Sequence, residues 1–187
     1  MTSLVRFLPG ASFPSHAHPQ GEEIFVLEGE FRDQRGTHTQ STLLLNAEGF
    51  RHAPSSAGGN LLFVRLRQYP NLPGRRSSRA VQSASLPWVE QSAEGVARKV
   101  LLDERPAFPE VQWLERWAPS APVPPRLVLG GLEMLVLHGG FRDAEGEYRQ
   151  YDWLRLPEGG AFSPVPGSEG CTLLLKSGGL EYAIPRE

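Results

Sequence analysis

The chain has 187 residues, of which 40% are hydrophobic and 21% are charged, so it can bury a core and is not expected to be disordered. Its 19 Lys and Arg residues against 21 Asp and Glu residues give a net charge of -2, which excludes the basic footprint of a nucleic-acid-binding protein and a polybasic membrane contact. No apolar run approaches the roughly 20 residues of a transmembrane helix, and the N-terminus lacks the apolar core of a signal peptide, so a cytoplasmic protein is expected.

Short strands are predicted along the whole chain. The 20 Gly and 17 Pro residues favour many strands joined by turns. In chain order, runs rich in apolar, β-branched and aromatic residues predict strands at 22–30, 43–45, 61–68 and 173–175. Helical spacing is weak everywhere, and the best candidate for a helix is 89–100. Cys171 is the only cysteine, so it cannot form an internal disulfide, and it is predicted to be a buried strand residue.

Two halves of the chain repeat one pattern. Phe31-Arg32-Asp33 reappears 110 residues later as Phe141-Arg142-Asp143, and Glu48-Gly49 reappears as Glu158-Gly159. A match without a gap between 6–66 and 116–176 spans several turns, which is characteristic of an internal duplication. We therefore predict two copies of one β-unit.

A cluster of candidate metal ligands lies in the first copy. His16 and His18 are two residues apart, and residues two apart on a strand point to the same side, so both imidazoles can reach one point. Glu22 follows a short turn and can fold back toward this pair, while His52 would come from a neighbouring strand. Three neutral imidazoles and one carboxylate suit Zn, Fe, Mn, Ni, Co or Cu better than Ca or Mg. We predict that these four residues bind one divalent metal, with an affinity that falls below about pH 6.5 as the free imidazoles protonate.

Other residues near the cluster have simpler interpretations. Glu23 competes with Glu22 for the role of acidic ligand, but Glu23 has a counterpart in Glu133, so it is predicted to be structural or to support a ligand through a hydrogen bond. His38 and His138 are predicted to be ordinary core or surface residues and not metal ligands. Open coordination positions would make the metal catalytic or sensory, whereas a closed tetrahedral site would be structural, and the sequence leaves both alternatives open. No catalytic residue and no organic-cofactor motif is predicted.

The second copy lacks the candidate ligands. The equivalent positions hold Arg126, Val128, Leu132 and Phe162. Because three of these four residues are apolar, we expect side chains to fill the corresponding pocket. The second copy is predicted to be a scaffold, a dimerisation half or a pocket without metal.

The first copy resembles the cupin superfamily. Gly10, His16, His18, Glu22 and Gly29 match the first cupin motif in full. The second motif is met in part: Gly49 and His52 match, whereas Ala47 stands in place of its proline and Ser56 in place of its asparagine. More narrowly, the runs HAHPQGEEIFVLEGEFRD and EGCTLLLKSG are similar to the cupin domain of ChrR-type anti-sigma factors and of their stand-alone bicupin relatives.

This resemblance implies an all-β fold of two tandem jelly-roll barrels, the second one degenerate. The implied organisation is a first cupin at 1–70 with the metal site, a linker with inter-barrel strands at 71–110, and a second cupin at 111–187. ChrR-type proteins bind sigma factors through a separate N-terminal zinc domain. Because the first cupin motif begins at Gly10, neither that domain nor sigma-factor inhibition is expected here.

The resemblance leaves two functions to compare, beside a third interpretation in which the metal only stabilises the fold of a scaffold protein. The first is a divalent-metal protein, with zinc as the leading metal, that senses or binds a small molecule or an oxidant in the first barrel. The second is a metal-dependent dioxygenase that acts on a small enolisable substrate, since cupin dioxygenases commonly use three histidines and one glutamate on iron or another divalent metal. Cupins are often dimeric, so a homodimer is a candidate assembly.

Overall fold

The computed structural model describes residues 1–66 and 76–180 as a succession of β-strands with one short 3-10 helix. In chain order the strands are β1 (Thr2–Phe7), β2 (His16–His18), β3 (Glu22–Asp33), β4 (Gly36–Thr39), β5 (Thr42–Asn46), β6 (Phe50–His52), β7 (Asn60–Leu66), β8 (Arg79–Gln82), β9 (Val89–Glu90), β10 (Val96–Asp103), β11 (Val111–Trp117), β12 (Arg126–Leu127), β13 (Leu132–Arg142), β14 (Glu147–Arg149), β15 (Trp153–Leu156), β16 (Ala161–Phe162) and β17 (Val165–Ser177). The 3-10 helix is Ser83–Ser85. Within the described ranges, no helix has the length and apolarity needed to cross a membrane.

The described residues divide into two compact units, the first formed by 1–66 and 76–85 and the second by 86–180. In the first unit the larger sheet has the strand order β1-β7-β3-β5-β8, with β4 paired to β3, and a separate two-stranded sheet joins β2 to β6. In the second unit the larger sheet has the order β14-β13-β17-β11-β10-β9, with β15 paired to β13, and β12 pairs with β16. Apart from the 3-10 helix, the regular structure of the described residues in each unit is β-sheet alone, as the predicted all-β fold of two tandem barrels requires.

The core of each barrel follows from alternation along its strands. Successive side chains of a strand point to opposite faces, so every second residue of β3 enters the interior. In the first unit the resulting cluster is Phe7, Ile24, Val26, Phe31, Leu44, Leu62 and Val64. Glu23 points to the other face of β3, where its carboxylate accepts a hydrogen bond from Arg65 at 3.0 Å, and both side chains are about 1% exposed. The structural role predicted for Glu23 is therefore confirmed.

The duplication is visible in the strand register, with one correction to the alignment. His16 pairs with His52 in the first unit, and Arg126 pairs with Phe162 in the second, as the offset of 110 predicts. In the last strand, however, Gly29 pairs with Asn60 whereas Gly139 pairs with Cys171, so β17 is shifted by one further residue. Cys171 therefore corresponds to Asn60 and not to Leu61, although it is buried in a strand as predicted.

A glycine in each copy permits this close pairing of strands. Gly29 and Gly139 have φ values of +70° and +66°, in the left-handed region that favours glycine. A Cβ atom at either position would collide with a backbone oxygen, that of Gly59 in the first unit and that of Gly170 in the second. The glycines thus mark the same bulge in both barrels.

The segment between the two cupin motifs contributes strands to the second barrel. β9 and β10 pair with each other, and β10 pairs with β11 along most of its length, so the helix considered at 89–100 is wrong. Backbone pairing of Val96–Asp103 with its neighbouring strands overrides the weak helical spacing. Arg79 begins β8 on the sheet of the first unit. Residues 67–75, which include the proposed boundary at 70, and residues 181–187 lie outside the described part of the chain.

Candidate metal centre

Two short strands bring the three predicted histidines together. β2 and β6 run antiparallel, and His16 lies directly opposite His52. His18 is on the same side of β2 as His16 because the side-chain period of a strand is two. The ring centroids of His16, His18 and His52 lie 4.8–5.0 Å apart, and their candidate ligand atoms all lie within 4.8 Å of one another.

The carboxylate of Glu22 completes the cluster. Glu22 is the first residue of β3, and its two carboxylate oxygens lie 3.6 Å from the Nε2 atoms of His18 and His52. The Nε2 atoms of His18 and His52 are themselves 3.0 Å apart. Glu22 and His52 are 5% and 2% exposed, so these polar groups converge in the interior of the first barrel.

The tautomer of one imidazole is suited to metal binding. His16 Nδ1 donates a hydrogen bond to the carbonyl oxygen of Pro14 at 2.8 Å, which leaves the lone pair of Nε2 free for a metal. A metal-ligating histidine commonly donates its other ring N–H in this way. The donor set of three imidazoles and one carboxylate therefore fits a divalent transition metal.

Burial changes the protonation of the cluster. It lowers the pKa of His52 to about 4, assisted by the nearby His18 and His16, and it also lowers the pKa of His18. Burial raises the pKa of Glu22 to about 7, against the hydrogen bond from Asn46 and the charge of Arg35. His18 and His52 thus stay neutral further into the acid range than free imidazoles, whereas a proton on Glu22 would compete with a metal near neutral pH.

Glu22 is expected to release a proton when the metal binds. Its raised pKa means that the folded, metal-free protein still holds this proton near pH 6, whereas a bound metal requires the carboxylate. The wild type should therefore release about one proton more per metal than Glu22→Gln near pH 6, and the difference should vanish near pH 8.5. Titration calorimetry with Zn²⁺ in buffers of different ionisation enthalpy measures this. Equal proton release by the two proteins near pH 6 would contradict the assignment of Glu22.

A chain of hydrogen-bonded polar side chains, which the sequence analysis did not predict, leads away from Glu22. Asn46, which is opposite Glu22 in the sheet, donates from Nδ2 to Glu22 Oε2 at 2.8 Å. Arg35 donates from Nη2 to Asn46 Oδ1 at 2.6 Å and to Asp33 Oδ2 at 2.7 Å. His38 Nε2 lies 3.0 Å from Asp33 Oδ1. His38 is a buried core residue, as predicted, and it is also a member of this hydrogen-bonded network.

The second barrel has an ion pair in place of the candidate metal ligands. Arg126, at the position of His16, donates to both carboxylate oxygens of Glu115, at 2.6 and 3.3 Å. Arg98 Nε and the indole nitrogens of Trp113 and Trp117 donate to the same carboxylate, at 2.6, 3.1 and 2.7 Å. Burial alone would raise the pKa of Glu115, but Arg126 and Arg98 outweigh it and lower the pKa to about 2.

Apolar side chains fill the rest of that interior. Val128, Leu132 and Phe162, at the positions of His18, Glu22 and His52, are all buried in the core of the second unit. The filled pocket expected from the sequence is therefore present. Its charged pair was not foreseen, because Glu115 corresponds to the apolar Val5. His138, predicted to be an ordinary core or surface residue, is exposed on β13.

A cavity of about 170 Å³ adjoins the cluster in the first barrel. His16, Glu22 and His52 form part of its wall. All other lining residues are apolar, namely Val5, Phe7, Phe13, Ile24, Phe31, Pro54, Leu62, Val64 and Leu66. Among the described residues, no lysine or arginine lines this cavity.

Comparison with protein families gives one match that covers nearly the whole chain. The family model described as "ChrR Cupin-like domain" matches residues 1–70 and 76–181. No curated protein matches the sequence.

Solved structures with the same fold include several two-barrel proteins. A candidate dioxygenase from Nostoc punctiforme is 16% identical with a TM-score of 0.77, over 96% of this chain and 69% of that one. A variant of oxalate decarboxylase from Bacillus subtilis is 13% identical with a TM-score of 0.70, over 94% and 68% of the two chains. Salicylate 1,2-dioxygenase from Pseudaminobacter salicylatoxidans is 14% identical with a TM-score of 0.68, over 94% and 70%. At these identities the similarity concerns the fold.

Proposed function

The chain belongs to the ChrR cupin-like family, and from this premise we propose that it is a divalent-metal bicupin that binds or senses a small molecule or an oxidant at the metal of its first barrel. His16, His18, Glu22 and His52 would hold the metal. Zinc is the leading metal because the resemblance to ChrR-type cupins implies it, whereas the imidazole and carboxylate donors also accept iron, manganese and nickel. When bound, such a metal would act as a Lewis acid at the wall of the cavity.

The observation that carries this proposal is the position of the cavity. Its volume of about 170 Å³ is close to that of an engineered apolar cavity of about 150 Å³ that binds benzene. Phe7, Phe31 and Leu62 would exclude water and contact the apolar part of a ligand, while the His and Glu side chains bring a metal to the same wall. A small, largely apolar molecule fits this combination better than a polyanion does, because no cation from the described residues faces the cavity.

An oxidant challenge tests the sensing role. Zinc-loaded protein is exposed to hydrogen peroxide or to photochemically generated singlet oxygen, and metal release and circular dichroism are followed. Loss of zinc with a change in the spectrum supports the proposal, and the His138→Ala variant, altered only at an exposed histidine, should respond as the wild type does. Unchanged metal content and conformation would count against sensing of these oxidants.

A metal-dependent dioxygenase is the second candidate. The three-histidine, one-glutamate set beside an apolar cavity favours it, and two of the proteins with this fold are described as dioxygenases. The test is anaerobic loading with Fe²⁺, followed by oxygen uptake across a panel of enolisable substrates, with metal-free protein as the control. Uptake no greater than that of the control would reject the activity for those substrates.

Elemental analysis of protein purified from its own host distinguishes the two candidate functions by the metal present, because iron favours the dioxygenase and zinc favours the binding or sensing role.

A further inference from the structure

The polar chain behind Glu22 ends on a proposed metal ligand. Its members Asn46 and Asp33 are 0% and 6% exposed, and the Asn46 amide has a defined orientation. Arg35 can only donate, so the amide oxygen of Asn46 must face Arg35 and the amide nitrogen must face Glu22. Asn46 is therefore held from one side and donates to the carboxylate on the other.

Arg35 also connects this chain to the strand that carries His52. Its guanidinium lies 4.5 Å from the ring centre of Phe50, and Phe50 is opposite His18 in the β2–β6 pair. Two short hydrogen bonds, at 2.7 and 3.1 Å, join the guanidinium to Asp33 Oδ2. One arginine thus contacts the support of Glu22 and packs on the β6 strand.

The second barrel provides an internal comparison, because it lacks the ligands. Where Glu22 becomes Leu132, Asn46 becomes Leu156 and Arg35 becomes Glu145. Asp33 is kept as Asp143, whose carboxylate accepts hydrogen bonds from the backbone of the following turn, at 2.8 and 3.2 Å. Asp33 makes the same kind of backbone contact, from Arg35 N at 2.8 Å. The turn therefore depends on the aspartate, and neither the side chain of Arg35 nor that of Asn46 is needed to form it.

We infer that Asn46, oriented by Arg35, is a positioning residue that holds the Glu22 carboxylate as a metal ligand. Asn46 donates to Oε2 of Glu22 and so restricts the rotation of the carboxyl group beside the histidines. Outer groups of this kind typically change metal affinity by about 10–100-fold when they are removed. The inference rests on the proposed metal-binding function.

The test compares Asn46→Leu with the wild type by titration with Co²⁺ alone. Leucine stands at the equivalent position 156 of the second barrel, where it is opposite Leu132, so the fold itself accepts this side chain at that place in the sheet. We expect Asn46→Leu to weaken Co²⁺ binding by about 10–100-fold and to change the visible absorption bands, which report the coordination of the ion. Gln40→Leu is the matched control, because the Gln40 amide donates to the carbonyl of Leu27 and its counterpart Gln150 donates to that of Leu137.

A double-mutant cycle separates positioning from general stability. In a Glu22→Gln background, Asn46→Leu should change Co²⁺ affinity by less than about twofold, because the group that it positions is already altered. If Asn46→Leu does not fold, Arg35→Met tests the same hydrogen-bonded network. The Arg35 side chain is 21% exposed, and the variant keeps the asparagine at position 46 while it removes the group that orients the amide. Arg35→Met should weaken Co²⁺ binding and alter the bands in the same direction.

Each outcome has a distinct meaning. A wild type that binds no Co²⁺ overturns the proposed function, and this inference with it. A wild type that binds Co²⁺, together with folded Asn46→Leu or Arg35→Met variants of unchanged affinity and spectrum, overturns the positioning role alone. An equal loss of affinity in both backgrounds of the cycle would also overturn it.

Discussion

Replacing His18 with alanine is expected to abolish the stabilisation of the protein by zinc. The Nε2 atom of His18 lies 3.0 Å from that of His52 and 3.6 Å from Glu22, so it faces the centre of the cluster. A ligand that binds only the folded state stabilises it by about 4 kcal/mol when its free concentration is about 1,000 times the dissociation constant. The wild type should show this gain on addition of zinc, whereas His18→Ala should show none at the same concentration.

Thermal unfolding followed by circular dichroism, with and without a chelator, measures the effect. The control is His138→Ala, which removes an exposed histidine of the second unit and should keep the zinc-dependent shift of the wild type. A shift of wild-type size in His18→Ala would mean that the metal is bound elsewhere, and the assignment of the cluster would be wrong.

Replacing Glu115 with alanine is expected to destabilise the second barrel by about 3–5 kcal/mol, the usual cost of removing one partner from a buried ion pair. The substitution leaves the guanidinium of Arg126, whose side chain is 20% exposed, without its carboxylate, and two indole N–H groups lose their acceptor. The loss is large because the remaining groups are buried without compensation, and not because the pair itself contributes that amount.

The pH dependence of stability gives a second measure of the same pair. The folded pKa of Glu115 is lowered to about 2 from an ordinary value of 4.5, so its contribution is complete above pH 4.5 and is lost as the pH falls through about 2. That shift corresponds to about 3 kcal/mol at neutral pH. The Glu115→Gln variant should lack this acid-dependent loss, since it has no carboxyl group to protonate.

Tryptophan fluorescence in a urea titration reports this unfolding selectively. All four tryptophans of the chain lie between residues 88 and 153, within the second unit. Glu147→Ala, which removes an exposed carboxylate of the same unit, should leave the midpoint unchanged. A Glu115→Ala midpoint equal to that of the wild type would contradict a structural role for the ion pair.

The strands were predictable where their patterns are local. The segments 22–30 and 43–45 lie within β3 and β5, and 173–175 lies within β17, because apolar and β-branched runs between turn residues favour a strand whatever its partners are. The helix considered at 89–100 failed for the opposite reason, since pairing with β11 determines the conformation of Val96–Asp103. The last strand of the duplication was misaligned by one residue, because identical residues are sparse there and only hydrogen-bonded register reveals the shift.

The sequence by itself determined the candidate ligands and the loss of those ligands in the second copy. A spacing of two along a strand places His16 and His18 on one side, and this follows from the sequence alone. Only the tertiary structure placed Asn46 and Arg35 behind Glu22, and Glu115 against Arg126. These contacts join residues 11–24 positions apart through the register of paired strands and the packing of the barrel interior, and no local pattern encodes such distances.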